Sequence, residues 1–134
     1  MNLQNATVVV TGASSGIGRA TALEFAKAGA NVVLASRGVE ALKSVAAECQ
    51  ELGAKTDIFE MDITEALDVR ALAAQAVKAF NGRIDVWVND PGIGVIGEFE
   101  KIPIADHDRV IQTNLIGYMH GLHAVLPYMK AQNA

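Results

Sequence analysis

Three glycines, at positions 12, 16 and 18, crowd into the stretch Thr11-Gly12-Ala13-Ser14-Ser15-Gly16-Ile17-Gly18. A backbone without Cβ turns tightly and lets another group come close. The stretch leads into Arg19-Ala20-Thr21-Ala22-Leu23-Glu24-Phe25-Ala26, which reads as a helix. Free N–H groups at a helix start, reinforced by the helix dipole, favour an anion. When such a loop follows a strand, the usual anion is the pyrophosphate of a dinucleotide. An ordinary turn between strand and helix is the alternative, but the apolar run Ala6 to Val10 on one side and the helix on the other favour the nucleotide. The spacing Gly-x-x-x-Gly-x-Gly differs from the commoner Gly-x-Gly-x-x-Gly, and no Gly-Lys-Ser or Gly-Lys-Thr follows, so this is not a P-loop.

Few other residues carry a signal of their own. His120 and His123 lie one helical turn apart, but no third ligand is near in sequence, so they read as surface or interface histidines rather than a metal site. His107 carries no functional signal. Cys49, the sole cysteine, falls on the apolar stripe Val39, Leu42, Ala46 and Cys49, which makes it a buried small hydrophobe.

The elements that position the loop follow from periodicity. Val8-Val9-Val10 is β-branched and apolar on both faces, as expected of a central parallel strand. Gly18 and Ala22 share a helical face with Phe25 and Ala26, which lets the helix lie close on the sheet. Asn31 to Ser36 is a second strand, Gly38 to Leu52 a helix, and Thr56 to Met61 a third, more polar strand near a sheet edge. Thr64 is placed to cap the next helix, with Glu65 and Asp68 in its first turn and Val69, Leu72, Ala73, Ala76, Val77 and Phe80 as its core face. Ile84 to Asn89 is a fourth strand, followed by the loop Asp90-Pro91-Gly92-Ile93-Gly94. From about Ala105 to Lys130 a long helix is expected, in one piece or two, ending in a kink or fray at Pro127. It carries two stripes: Ile111, Leu115, Tyr118, Leu122, Val125 and Met129, and the small residues Asn114, Gly117, Gly121 and Ala124.

Three β-α crossovers in succession predict a doubly wound parallel sheet with strand order 3-2-1-4. The ligand groove is then expected at the carboxyl ends of strands 1 and 4.

At 134 residues, 51% hydrophobic and 19% charged, the chain reads as one globular α/β domain over 1–134. A net charge of −4 without a basic cluster argues against nucleic acid or an anionic membrane as partner. With no membrane-length apolar run and a polar start, Met1-Asn2-Leu3-Gln4-Asn5, the expected location is cytoplasmic.

Four features in order resemble the short-chain dehydrogenase/reductase family: Thr11-Gly-x-x-x-Gly-x-Gly18, Asp62 after strand 3, Asn89-Asp90-Pro91-Gly92 after strand 4, and Thr113-Asn114-Leu115 in the long helix. The resemblance runs from about Ala6 to the C-terminus. It implies a Rossmann-type NAD(P)(H)-binding fold. Gly12, Ser14, Ser15, Gly16, Ile17 and Gly18 would hold the pyrophosphate, Asp62 and Ile63 would lie near the adenine, Asn89 would brace the central strands, and Gly92 would belong to the cofactor loop. Strand 2 ends in Ser36-Arg37 rather than in an acid, and a cation paired with a hydroxyl suits a 2′-phosphate, so NADP(H) is favoured over NAD(H). An S-adenosylmethionine methyltransferase shares the βαβ start, but normally wants an acid at that place.

Family catalysis implies a Ser, a Tyr-x-x-x-Lys pair and the Asn of the long helix. Of these only Asn114 is present, since Leu122 follows Tyr118 and Gln132 follows Tyr128 at the required spacing. Tyr128 and Lys130, two apart, do not share a helical face. The expectation is therefore a truncated domain that is inactive alone. A strand-4 edge and a long helix without neighbours would recruit a second copy, giving a homo-oligomer. The alternative is a noncatalytic dinucleotide-binding or self-assembling fragment.

Overall fold

Val8, Val9 and Val10 are completely buried because β1 (Thr7–Thr11) has strands on both sides and helices on both faces. The computed structural model describes residues 1–132, so the last two residues of the expected domain, Asn133 and Ala134, lie outside it. The element order is β1, α1 (Gly16–Lys27), β2 (Asn31–Ser36), α2 (Val39–Glu51), β3 (Thr56–Glu60), α3 (Ala66–Ala79), β4 (Val86–Asn89), a 3-10 turn (Phe99–Lys101), α4 (Ile104–Ile111), a π-helical segment (Gln112–Ile116) and α5 (Gly117–Ala131). All four strands are parallel, in the order β3-β2-β1-β4 that the crossovers predict.

Alternation along the strands splits the interior in two. Val8, Val10, Val32 and Leu34 meet Ala22 and Ala26 of α1 and Leu42, Val45 and Cys49 of α2 on one face. Val9, Val33 and Ala35 meet α3 through Val69, Leu72, Ala73 and Ala76, and α5 through Ala124 and Val125, on the other. Burial pushes the Cys49 thiol above its ordinary pKa; Glu48 adds to the effect and Arg19 opposes it. Arg19 and Glu48 also form an ion pair joining α1 to α2. β3 is only half-buried, as an edge position requires.

Two local expectations are corrected. Thr64 does not cap α3: the residue before the helix is Glu65, which makes no side-chain cap bond. The Thr64 hydroxyl instead donates to Asp62 Oδ1 at 2.7 Å, and the Thr64 N–H donates to the same oxygen at 2.9 Å. The charge-assisted bond to the carboxylate fixes the hydroxyl in the turn before α3.

The second correction concerns the long helix. It runs through Pro127 to Ala131, but its middle is π-helical from Gln112 to Ile116. The apolar stripe read at 3.6 residues per turn does not stay on one side: the wider turn shifts Ile111 and Leu115 out of register with α5, and within α5 Leu122 stands at the edge of the face that the small residues bury. Tyr118, Val125 and Met129 turn inward, whereas Ile111, Leu115, Met119, Leu122 and Leu126 are 46–54% exposed. The small-residue stripe lies against the sheet side, with Gly117, Gly121 and Ala124 buried. A Cβ on Gly121 would collide with Asn89 Oδ1 and stand 2.9 Å from Trp87 Nε1, and one on Gly117 would stand 3.0 Å from the Ile63 side chain.

Candidate functional site

At the carboxyl ends of the strands the chain encloses a cavity of about 940 Å³. One wall is the glycine loop, through Gly12, Ser14, Ser15, Gly16 and Ile17. A second is the end of β2, through Ser36, Arg37 and Gly38, with the turn after β3 from Met61 to Glu65. The loop after β4, Asp90 to Ile93, and the long helix, through Arg109, Gln112, Thr113 and Tyr118, complete it. This is the groove that the reversal of winding at β1 and β4 predicts.

The glycine loop is tight for reasons its sequence states. Gly12 has φ +70°, and a Cβ there would stand 2.5 Å from the Asp90 carbonyl oxygen; one on Gly18 would collide with the Gly12 carbonyl. Gly16, at φ +56°, has nothing within 4 Å of where its Cβ would be, so the loop is open toward the cavity at that residue. Ser15 precedes α1 without a side-chain cap bond. The first-turn amides of a helix have no intrahelical acceptor, so the cavity wall here suits an anion.

The loop after β4 is held from both sides. Thr11 donates its hydroxyl to the Val88 carbonyl at 3.0 Å and accepts the Asp90 N–H at 3.3 Å. From the π-helical segment, Asn114 accepts the Ile93 N–H at 3.0 Å and donates to the Ile93 carbonyl at 2.8 Å.

Ten of the thirteen site residues named from sequence line the cavity, and Gly18, Asn89 and Asn114 do not. Gly18 is buried beneath the loop. Asn89 pairs with Thr11 of β1 in the ladder, and its side chain also joins β4 to α5: it accepts from Trp87 Nε1 at 2.9 Å and donates to the Tyr118 carbonyl at 3.4 Å. Asn114 clamps the β4 loop. Arg109, Gln112 and Tyr118 line the cavity unannounced, because only the tertiary course of the long helix brings them there.

Asp62 is the most heavily held carboxylate of the site. Besides its two bonds from Thr64, its N–H donates to Asp68 Oδ2 at 3.1 Å. The Thr64 hydroxyl bond holds the Asp62 carboxyl below its usual pKa; partial burial opposes this, while the Thr64 amide and the charges of Arg37 and Arg109 assist it. His120 does not lie free at the surface: its Nδ1 sits 2.8 Å from the Ile63 carbonyl, beside Asp62. His107 stacks on Phe99 with ring centroids 4.1 Å apart. No group of three metal-ligating side chains occurs among the described residues, and no helix among them is long and apolar enough to cross a membrane.

Comparison with known proteins gives a consistent result. The family model described as short chain dehydrogenase matches residues 6–134. Sepiapterin reductase of Chlorobaculum tepidum is 37% identical over 134 residues, covering 95% of this chain and 54% of that protein. Among solved structures, NAD+-bound xylitol dehydrogenase is 32% identical with a TM-score of 0.94, over 99% of this chain and 51% of that one. An alcohol dehydrogenase from the archaeon Thermococcus sibiricus, complexed with 5-hydroxy-NADP, is 30% identical with a TM-score of 0.90, over 96% of this chain and 55% of that one. The chain thus spans about half the length of these relatives.

Proposed function

We infer the function from the premise that this chain belongs to the short chain dehydrogenase family. Its 134 residues form a single Rossmann-type unit that binds NADP(H) and serves as the cofactor-binding part of an oxidoreductase acting on a carbonyl or alcohol. The observation carrying this reading is the cavity itself, with an uncapped helix start on one wall and Ser36-Arg37 on another. Ser14, Ser15, Gly16 and Ile17 hold the pyrophosphate, and Gly12 and Gly18 keep the loop tight enough to do so. Ser36 and Arg37 take the 2′-phosphate by charge-assisted hydrogen bonds, and Asp62 with Ile63 borders the adenine. Asn89, Gly92 and Asn114 set the shape of the β4 loop. When bound, NADP(H) supplies or accepts the hydride. Proton transfer in this family implies a Tyr-x-x-x-Lys pair, and the 134 residues contain none, so the chain alone does not turn over.

The test is a fluorescence titration with NADPH and NADH. Arg37→Ala is expected to weaken NADPH roughly 10- to 100-fold, the range for hydrogen bonds to a charged group, with NADH nearly unaffected. Equal losses for both nucleotides would reject the 2′-phosphate assignment.

A second reading, a noncatalytic self-assembling module, is favoured by the exposed apolar positions Ile111, Leu115, Met119, Leu122 and Leu126 on the long helix. A monodisperse monomer by light scattering at micromolar concentration would exclude it.

A further inference from the structure

We propose that His120 is a positioning residue for adenine recognition, acting through the turn that carries Asp62. The inference rests on the dinucleotide reading and deepens it. The Ile63 carbonyl can only accept, so at 2.8 Å the His120 ring carries its proton on Nδ1 and donates. One helical turn earlier, Gly117 lets α5 approach the Ile63 side chain so closely that a Cβ would have only 3.0 Å. The long helix therefore grips the residue after Asp62 twice, once at the backbone and once at the side chain.

Asp62 itself is held by α3 and by the turn that precedes it. The Asp62 N–H is bound by Asp68, and its Oδ1 accepts both the amide and the hydroxyl of Thr64. Oδ2 alone of the polar atoms of Asp62 has no protein donor among the described residues, and Asp62 lies on the cavity wall. A carboxylate oxygen fixed in this way accepts from the 6-amino group of adenine and repels the 6-oxo group of hypoxanthine. Discrimination between those bases depends on where the turn holds Oδ2, and α5 contributes the half of the clamp that comes from outside the βα unit.

The experiment titrates NADPH and its hypoxanthine analogue against the wild type, His120→Leu, His120→Asn and Asp62→Asn. The wild type is expected to prefer adenine, and Asp62→Asn to lose that preference. His120→Leu should reduce it about three- to tenfold, the effect of one hydrogen bond. His120→Asn, whose amide can donate from near the Nδ1 position, should restore most of it. If His120→Leu does not fold, His120→Gln replaces it, since its donor lies near the Nε2 position and should not rescue. Equal weakening of both nucleotides by His120→Leu, or no change in their ratio, overturns the proposal. A wild type that binds both nucleotides equally well overturns it while leaving dinucleotide binding intact. A wild type that binds neither removes the dinucleotide reading as well.

Discussion

Asp62 and Thr64 show a hydroxyl that donates to a carboxylate where the sequence suggests it would accept from the amides of a helix start. Thr64 stands where a helix cap is expected, yet the structure gives its hydroxyl to the Asp62 carboxylate. Because the folded Asp62 has a lowered pKa, its ionised form stabilises the fold above the unfolded value near 3.9, and that contribution is lost as pH falls through the folded pKa. Thr64→Val should therefore raise the Asp62 pKa, read by carboxyl NMR titration. Its stability deficit at neutral pH, about 1 kcal/mol or less, should shrink in urea melts once Asp62 is protonated. An unchanged Asp62 titration would show that the hydroxyl bond does not hold the charge. That Asp62 stands at the cavity was legible from its place after β3; which of its oxygens stays free was not, because it depends on the Thr64 rotamer.

Among the elements, the long helix departs most from its sequence pattern. A 3.6-residue period assumes a uniform helix, and five π-helical residues around Asn114 break that assumption. The wider turn lets Asn114 clamp Ile93 through both its amide atoms while the next turns present Gly117 and Gly121 to the sheet side. The stripe of small residues was legible in the sequence, and so was the need for a close neighbour. Gly121→Ala should break the Trp87–Asn89 hydrogen bond and destabilise the fold by about 1–3 kcal/mol, as overpacking does. A denaturant midpoint equal to that of wild type would show that the sheet can yield there.

At the scale of the whole molecule, two surfaces have no partner among the described residues: the unpaired backbone edge of β4, which pairs only with β1, and the apolar outward side of the long helix. An unpaired strand edge and a contiguous apolar helix face both favour association. We therefore expect a homo-oligomer at micromolar concentration by light scattering, converted to monomer by Leu115→Lys with Leu122→Lys if the helix is the contact. A monodisperse wild-type monomer would refute association. The strand order was readable because right-handed βα crossovers leave few alternatives. The cavity's far wall, with Arg109, Gln112 and Tyr118, was not readable, since no local spacing says over which strands a helix will lie.

What the sequence by itself determined is whatever local chemistry can enforce: the glycine loop, the strands and their order, the buried Cys49, and the identity of the charges at the end of β2. These depend on one residue's conformational range or on a period within one element. What only the tertiary structure decided are the relations between elements distant in the chain: Asn114 on the β4 loop, His120 on the turn beside Asp62, and the Asn89 side chain on α5. Such pairings are 21 to 57 residues apart in sequence. They are set by how closely two backbones can approach, which packing fixes and spacing does not.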